Sequence, residues 1–135
     1  MAKFVLTNPV ITVGGVDLSD HIASVTLTES YAEVATTAFG DTAVTRIAGL
    51  GDHSISLDFH EDFAATEVHA TIAPLIGATS TFSVKPVNDT TSATNPVFSG
   101  TMLVTEWPLL NGAVGDLASA SVTWPVSGSI TTSTS

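Results

Sequence analysis

Histidines and carboxylates concentrate in the middle of this sequence, where they could bind a metal or transfer protons. The residues in question are Asp52, His53, His60, Glu61, Asp62, Glu67 and His69. Imidazole and carboxylate both ligate zinc and related metals, and His60, Asp62 and His69 could converge where a helix begins. However, the helical stretch contains neither a His-x3-His pair nor an HExxH sequence. We therefore interpret the acids as helix caps and the histidines as solvated or interface side chains, and predict no metal site.

The other common catalytic patterns are missing as well. Serines are abundant, but no GxSxG turn presents one as a nucleophile, and a Ser–His–Asp triad needs such a geometry. Gly14-Gly15 is not followed by a phosphate-binding GxxxxGK[ST] or GxGxxG pattern. The carboxylates lack an aromatic platform for a sugar, and the chain has no cysteine to supply a thiolate. We expect no catalytic residue and no cofactor, and predict that the chain is not an enzyme.

Three further side chains suggest contacts, not chemistry. Trp107 and Trp124 each precede a proline at the end of a predicted strand, which favours a role as core or interface anchors over ligand stacking. Arg46 is the only arginine and lies in a segment that we expect to project. It either forms a salt bridge with an acid of a neighbouring copy or is an ordinary exposed arginine.

Composition narrows the class of protein. The chain has 135 residues, of which 44% are hydrophobic and only 12% charged, so one globular domain that hides surface in an assembly is favoured. Its net charge is −10, with only three Lys plus Arg, too few cations to grip nucleic acid. No stretch is long and apolar enough to be a secretory signal or a membrane span, so we expect no membrane contact and production in a cytoplasm.

The pattern around residue 60 predicts one strand leading into one helix. Ile55, Leu57 and Phe59 alternate with polar residues, as in a strand with one buried face. A helix is then predicted over about 62–76, with Asp62 as its N-cap and Gly77 at its end. The remaining segments indicate strands, so the predicted fold is mainly β, a sandwich or barrel with one flanking α-helix.

Turn residues divide the rest of the chain. Strands are predicted at 10–13 and 16–18, 22–28, 80–86, 97–107 and 117–125. Residues 4–6 are either a short strand or an extended arm. The connection Tyr31 to Asp52 is too long for a compact domain and is predicted to be a projecting loop or hairpin. We assign 1–128 to a single domain and 129–135 to a flexible C-terminal tail.

Four stretches together resemble the tail tube (major tail) proteins of long, non-contractile-tailed bacteriophages (siphophages), particularly those of actinobacteriophages. They span from about Val10 to Gly128 and read VGGVDLSDHIASVTLTES, TTAFGDTAVTRIAGLGDHSISLDFHEDF, SATNPVFSGTMLVTEWP and GDLASASVTWPVSG. The resemblance implies a structural virion protein whose copies form hexameric rings that stack into a hollow tube. It further implies that the loop at Tyr31 to Asp52 reaches an adjacent ring.

The same resemblance implies location and partners. The protein would be assembled in the host cytoplasm and reside in the virion tail. Its partners would be itself, a tape measure protein and a tail terminator or distal tail protein, with DNA as transient cargo in an acidic lumen. A capsid decoration protein or a module that binds the host surface is the alternative.

Overall fold

Nine β-strands and one short α-helix make up the fold, seen here in a computed structural model that describes residues 3–64 and 67–135. Seven strands form one curled antiparallel sheet in the order β2-β1-β7-β8-β9-β6-β3, and β4 and β5 form a separate hairpin. The strands are β1 (Val10–Val13), β2 (Val16–Asp17), β3 (Ile22–Thr28), β4 (Tyr31–Ala35), β5 (Arg46–Gly51), β6 (Ser54–His60), β7 (Thr79–Lys85), β8 (Val97–Leu103) and β9 (Ser119–Ser133). The helix α1 covers Val68–Ile72. The prediction of a mainly β fold with one flanking helix is confirmed.

The alternation of side chains along β6 and β9 sets the core. Ile55, Leu57 and Phe59 point to one side of the sheet, and they oppose Trp124, Val122 and Ala120 of β9, respectively. All six side chains are buried. Because successive residues of a strand face opposite sides, the intervening serines, threonines and Asp58 face outward.

Aromatic rings fill the centre of this core. Phe59 packs edge-to-face on Trp107, with ring centroids 5.3 Å apart, and tilted against Trp124 at 6.3 Å. The Trp124 indole N–H donates to the carbonyl of Glu106 at 2.9 Å. The prediction that both tryptophans act as anchors is confirmed for the core.

The helix is shorter than the sequence predicts. It begins at Val68, not at Asp62, and continues as one 3-10 turn over Ala73–Leu75. Asp62 does not cap it, because its carboxylate accepts the N–H of Ala64 at 2.9 Å in a local turn that competes with helix formation. Two of the residues predicted to be helical, 65 and 66, lie outside the described part of the chain. Gly77 follows the helix with φ 81°, as predicted.

The last strand is longer than predicted and the strand before it is shorter. β8 ends at Leu103, whereas β9 continues past Pro125 to Ser133. Val97 pairs with Ser133 and Phe98 with Thr132, so residues 129–133 belong to the sheet. The boundary predicted at Pro125 is wrong because β8 offers a free edge and threonine suits a strand. Among the described residues, no helix has the length and apolarity to cross a membrane.

We expect the aromatic core to dominate stability. Replacing Phe59 with alanine should lower the free energy of unfolding by about 3–5 kcal/mol, because it opens a cavity beside two indoles. The matched control is Phe63→Ala, since Phe63 is exposed and its loss should change stability by less than about 0.5 kcal/mol. Urea denaturation checks both, and equal effects would contradict the assignment of the core.

Candidate functional site: two apolar ends and a hydroxyl face

The seven-stranded sheet has two ends, which are defined here by β6. We call the end at Ser54 the hairpin end, because β4 and β5 leave the sheet there together with the N-terminal segment 3–9. We call the end at His60 the helix end, because α1 and the loop 109–117 lie there. That loop is held to the start of β9, where the Asn111 side chain donates to the Ser119 carbonyl at 3.2 Å.

Exposed large hydrophobic side chains are confined to these ends. Within the seven-stranded sheet, Leu103 alone among the described residues is of this kind, and it is the last residue of β8. At the hairpin end they are Phe4, Val5, Leu6, Tyr31, Val34, Phe39, Val44, Ile47 and Leu50. At the helix end they are Phe63, Ile76, Leu103, Leu109, Leu110, Val114 and Leu117. Apolar surface gathered in this way marks a contact with another protein or another copy.

The outer face of β3, β6 and β9 is covered by hydroxyl groups, and we call it the hydroxyl face. Its members are Ser24, Thr26, Thr28, Ser54, Ser56, Ser119, Ser121 and Thr123. The Ser56 and Thr123 hydroxyls are hydrogen-bonded at 2.9 Å across the strands. Asp58 is the only charged residue on this face, since its cross-strand neighbours are Ser24 and Ser121. The face therefore attracts neither apolar surface nor phosphate.

The hairpin β4–β5 confirms the projecting segment that the sequence predicts at Tyr31 to Asp52. Its ten described tip residues, 36–45, connect β4 to β5, and every residue of β4 is exposed. Phe39 at the tip is completely exposed, at 109%. A two-stranded hairpin without cover is marginally stable in water, so this one needs a partner surface.

His53 fixes the hairpin to the sheet. Its side chain is buried at 4% exposure, its Nδ1 accepts the N–H of Ser30 at 3.0 Å, and Tyr31 packs edge-to-face on its ring at 5.3 Å. A Cβ at Gly51 would lie 2.8 Å from the ring, so only glycine fits there. These contacts set the direction in which the hairpin leaves the sheet. The sequence placed His53 among possible ligands, whereas its role here is to position the hairpin.

Arg46 pairs within its own chain. Its guanidinium contacts the carboxylate of Glu33 on the opposite strand of the hairpin, and both side chains are more than half exposed. An ion pair this exposed contributes little to stability. The bond to a neighbouring copy that the sequence suggests for Arg46 stays a prediction.

An apolar groove of about 260 Å³ opens at the hairpin end. It lies between the N-terminal segment, the end of β3 and the ends of β7, β8 and β9. Its apolar lining is Phe4, Leu6, Pro9, Val25, Leu27, Val84, Pro86, Phe98 and Ile130, and Glu29 adds one acid. Residues 4–6 form an extended arm here, not a strand.

Three carboxylates surround one imidazole beside the helix. His21 Nδ1 lies 2.8 Å from Asp20 and 3.4 Å from Glu67, and Nε2 lies 2.9 Å from Asp62. The hydrogen bond with Asp20 raises the pKa of His21, and Asp62 adds to this effect. The hydrogen bonds from the Ala64 amide and from His21 lower the pKa of Asp62. The protonated imidazole thus ties the turn Ser19–His21 to the segment before α1.

The predicted candidates His60, Asp62 and His69 do not form a site. Asp62 bonds to His21, while His60 Nδ1 and His69 Nδ1 are buried without a hydrogen-bond partner. Both carboxylate oxygens of Glu61 are likewise unpartnered, and burial raises the pKa of this carboxyl. The sequence analysis missed His21, since only the long-range pairing of β3 with β6 brings it to Asp62. Its one local signal is the adjacent Asp20.

Loss of the His53 contacts should loosen the hairpin more than the sheet. In His53→Ala the amides of β4 and β5 should exchange with deuterium at least about tenfold faster, because the hairpin can then open locally. The matched control is His60→Ala, at the other end of β6. Equal protection of the hairpin in wild type and His53→Ala would contradict the positioning role.

The ion pairs of His21 should give stability a defined pH dependence. A raised histidine pKa contributes stability below 6.5 that disappears as pH rises through the folded value. A lowered Asp62 pKa contributes stability above 3.8 that disappears as pH falls through its folded value. The melting temperature of wild type should therefore exceed that of His21→Gln by a few degrees between these limits, and the gap should narrow on either side. A gap independent of pH, as expected for the control His60→Gln, would contradict this.

Comparison with solved structures gives the fold a context. A chain in the virion of a native gene transfer agent particle matches with a TM-score of 0.72 and 14% identity, covering 93% of this chain and 95% of that one. A chain in the tail of an empty gene transfer agent particle, solved with C6 symmetry, matches with a TM-score of 0.62 and 17% identity, covering 82% and 81%. No protein-family model and no curated protein sequence matches the chain. The fold described above is therefore shared with components of phage-like particles.

Proposed function

We propose that this chain is a structural, non-enzymatic tail protein of a phage-like particle, whose copies form stacked hexameric rings around a hollow tube. The single observation that carries the proposal is the distribution of its surface. Apolar side chains gather at the two ends of the sheet, while the face between them carries hydroxyl groups. Such a subunit associates through its ends and leaves the hydroxyl face in contact with water.

The similar chains support the same arrangement. One belongs to a tail solved with C6 symmetry. In a ring of six, the edge strands β2 and β3 could pair with those of neighbouring copies, which would remove edges that are a hazard in a monomer. We propose that the tube forms part of the virion tail and is assembled in the host cytoplasm with a tape measure protein and a tail terminator or distal tail protein.

The hydroxyl face suits the lumen of such a tube. Each ring of six would present six copies of Asp58 among rows of hydroxyl groups. A weakly acidic wall without cations repels phosphates and does not retain them, so DNA could slide through as transient cargo. Most of the other acids lie in loops and in the hairpin, so this lining would be less acidic than the net charge suggests.

Electron microscopy and sedimentation of the purified chain over a concentration series test the proposal. We expect rings or hollow rods of uniform width whose fraction rises with concentration. Monomers at every concentration, with no rings even at the highest, would contradict it.

Deletion of the hairpin gives a more specific test. The N–H of Asp52 donates to the carbonyl of Ser30 at 2.8 Å, so a two-residue Asn-Gly turn can replace residues 31–51 without moving the sheet. The shortened chain should fold, as judged by circular dichroism, and fail to form long tubes. Tubes of normal length from this folded variant would contradict a role for the hairpin in assembly.

A further inference from the structure

The two ends of the chain have complementary shapes. The groove at the hairpin end is a concave, apolar opening that nothing in the described chain fills. The loop 109–117 at the helix end carries protruding aliphatic side chains, Leu109, Leu110, Val114 and Leu117. Leu110 is 80% exposed and Val114 is 106% exposed, so the loop is as poorly covered as the groove is empty.

The charges of the two ends are also complementary. Lys3, Arg46 and Lys85, which are all of the lysines and arginines, lie at the hairpin end. The helix end holds Glu61, Asp62, Glu67 and Asp116 and none of these cations. Opposite ends of two copies therefore attract each other more than like ends do, which orients the encounter.

The loop and the groove of one chain cannot meet. They lie at opposite ends of β6, which has seven residues and spans roughly 20 Å. The occupant of the groove must therefore come from elsewhere, and the helix end of a second copy offers both the apolar side chains and the charge. A contact between two different patches is heterologous, so it repeats from copy to copy without limit.

We propose that the loop 109–117 of one copy docks, with Leu110 and Val114 foremost, in the apolar groove of the next copy. This inference rests on the proposed function and identifies one contact by which the rings would stack. The hydrophobic side chains at the centre of such a contact are expected to contribute most of its affinity. The hairpin, whose base borders the groove, then embraces the docked end.

Disulfide trapping tests the contact directly, because the chain has no cysteine of its own. One copy carries Leu110→Cys and is labelled with 15N, and the other carries Ile130→Cys in the groove without label. After mixing, assembly and oxidation, we expect a dimer of mixed mass at a yield at least several-fold above the control pair. The control pair combines Ile130→Cys with Phe39→Cys, which is equally accessible but lies at the hairpin end.

Equal yields from the two pairs would overturn the proposal, and a higher yield from the Phe39 pair would identify the hairpin tip as the occupant instead. In a second measurement, Leu110→Asp should raise the concentration needed for assembly by at least about tenfold, and Leu110→Met should restore it. Circular dichroism confirms that both variants fold. If wild type assembles and Leu110→Asp assembles equally well, this contact is wrong and the proposed function stands. If wild type never assembles, the proposed function fails.

Discussion

The packing of one face of the curled sheet against an aromatic core constrains everything else in this structure. Phe59, Trp107 and Trp124 fill the interior, and strand alternation commits every second residue of β6 and β9 to that interior. The residues between them must face outward, where serine and threonine keep the face wet. Apolar side chains that the core does not hold can then appear only beyond the strands. The separation of apolar ends from a hydroxyl face is thus a direct consequence of the core.

This separation also explains the scarcity of charge. An isolated soluble domain needs charged groups to keep apolar patches apart, but a subunit that buries its ends against other copies does not. His53 and Gly51 add precision, because they fix the direction in which the exposed hairpin leaves the sheet. A hairpin that moved freely would lose entropy on docking, and the rigid attachment reduces that cost.

Much of the fold could be predicted from local pattern. The alternation in β6, the Gly14-Gly15 turn between β1 and β2 and the bounds of β3 follow from side-chain period and turn chemistry. Predictions that depended on distant partners were less successful. The extension of β9 to Ser133 requires the free edge of β8, and the late start of α1 requires Asp62 to bond elsewhere. The cluster around His21 and the groove at the hairpin end join residues far apart in sequence, so no local signal predicted them.

A helical reconstruction of assembled particles by cryo-electron microscopy tests the central claim most directly. The account predicts that axial neighbours meet hairpin end to helix end, with the exposed hydrophobic residues of both ends buried between copies. It also predicts that the hydroxyl face with Asp58 borders an open channel. Neighbouring copies that contact each other through the hydroxyl face, while Phe39, Leu110 and Val114 remain in solvent, would contradict the account.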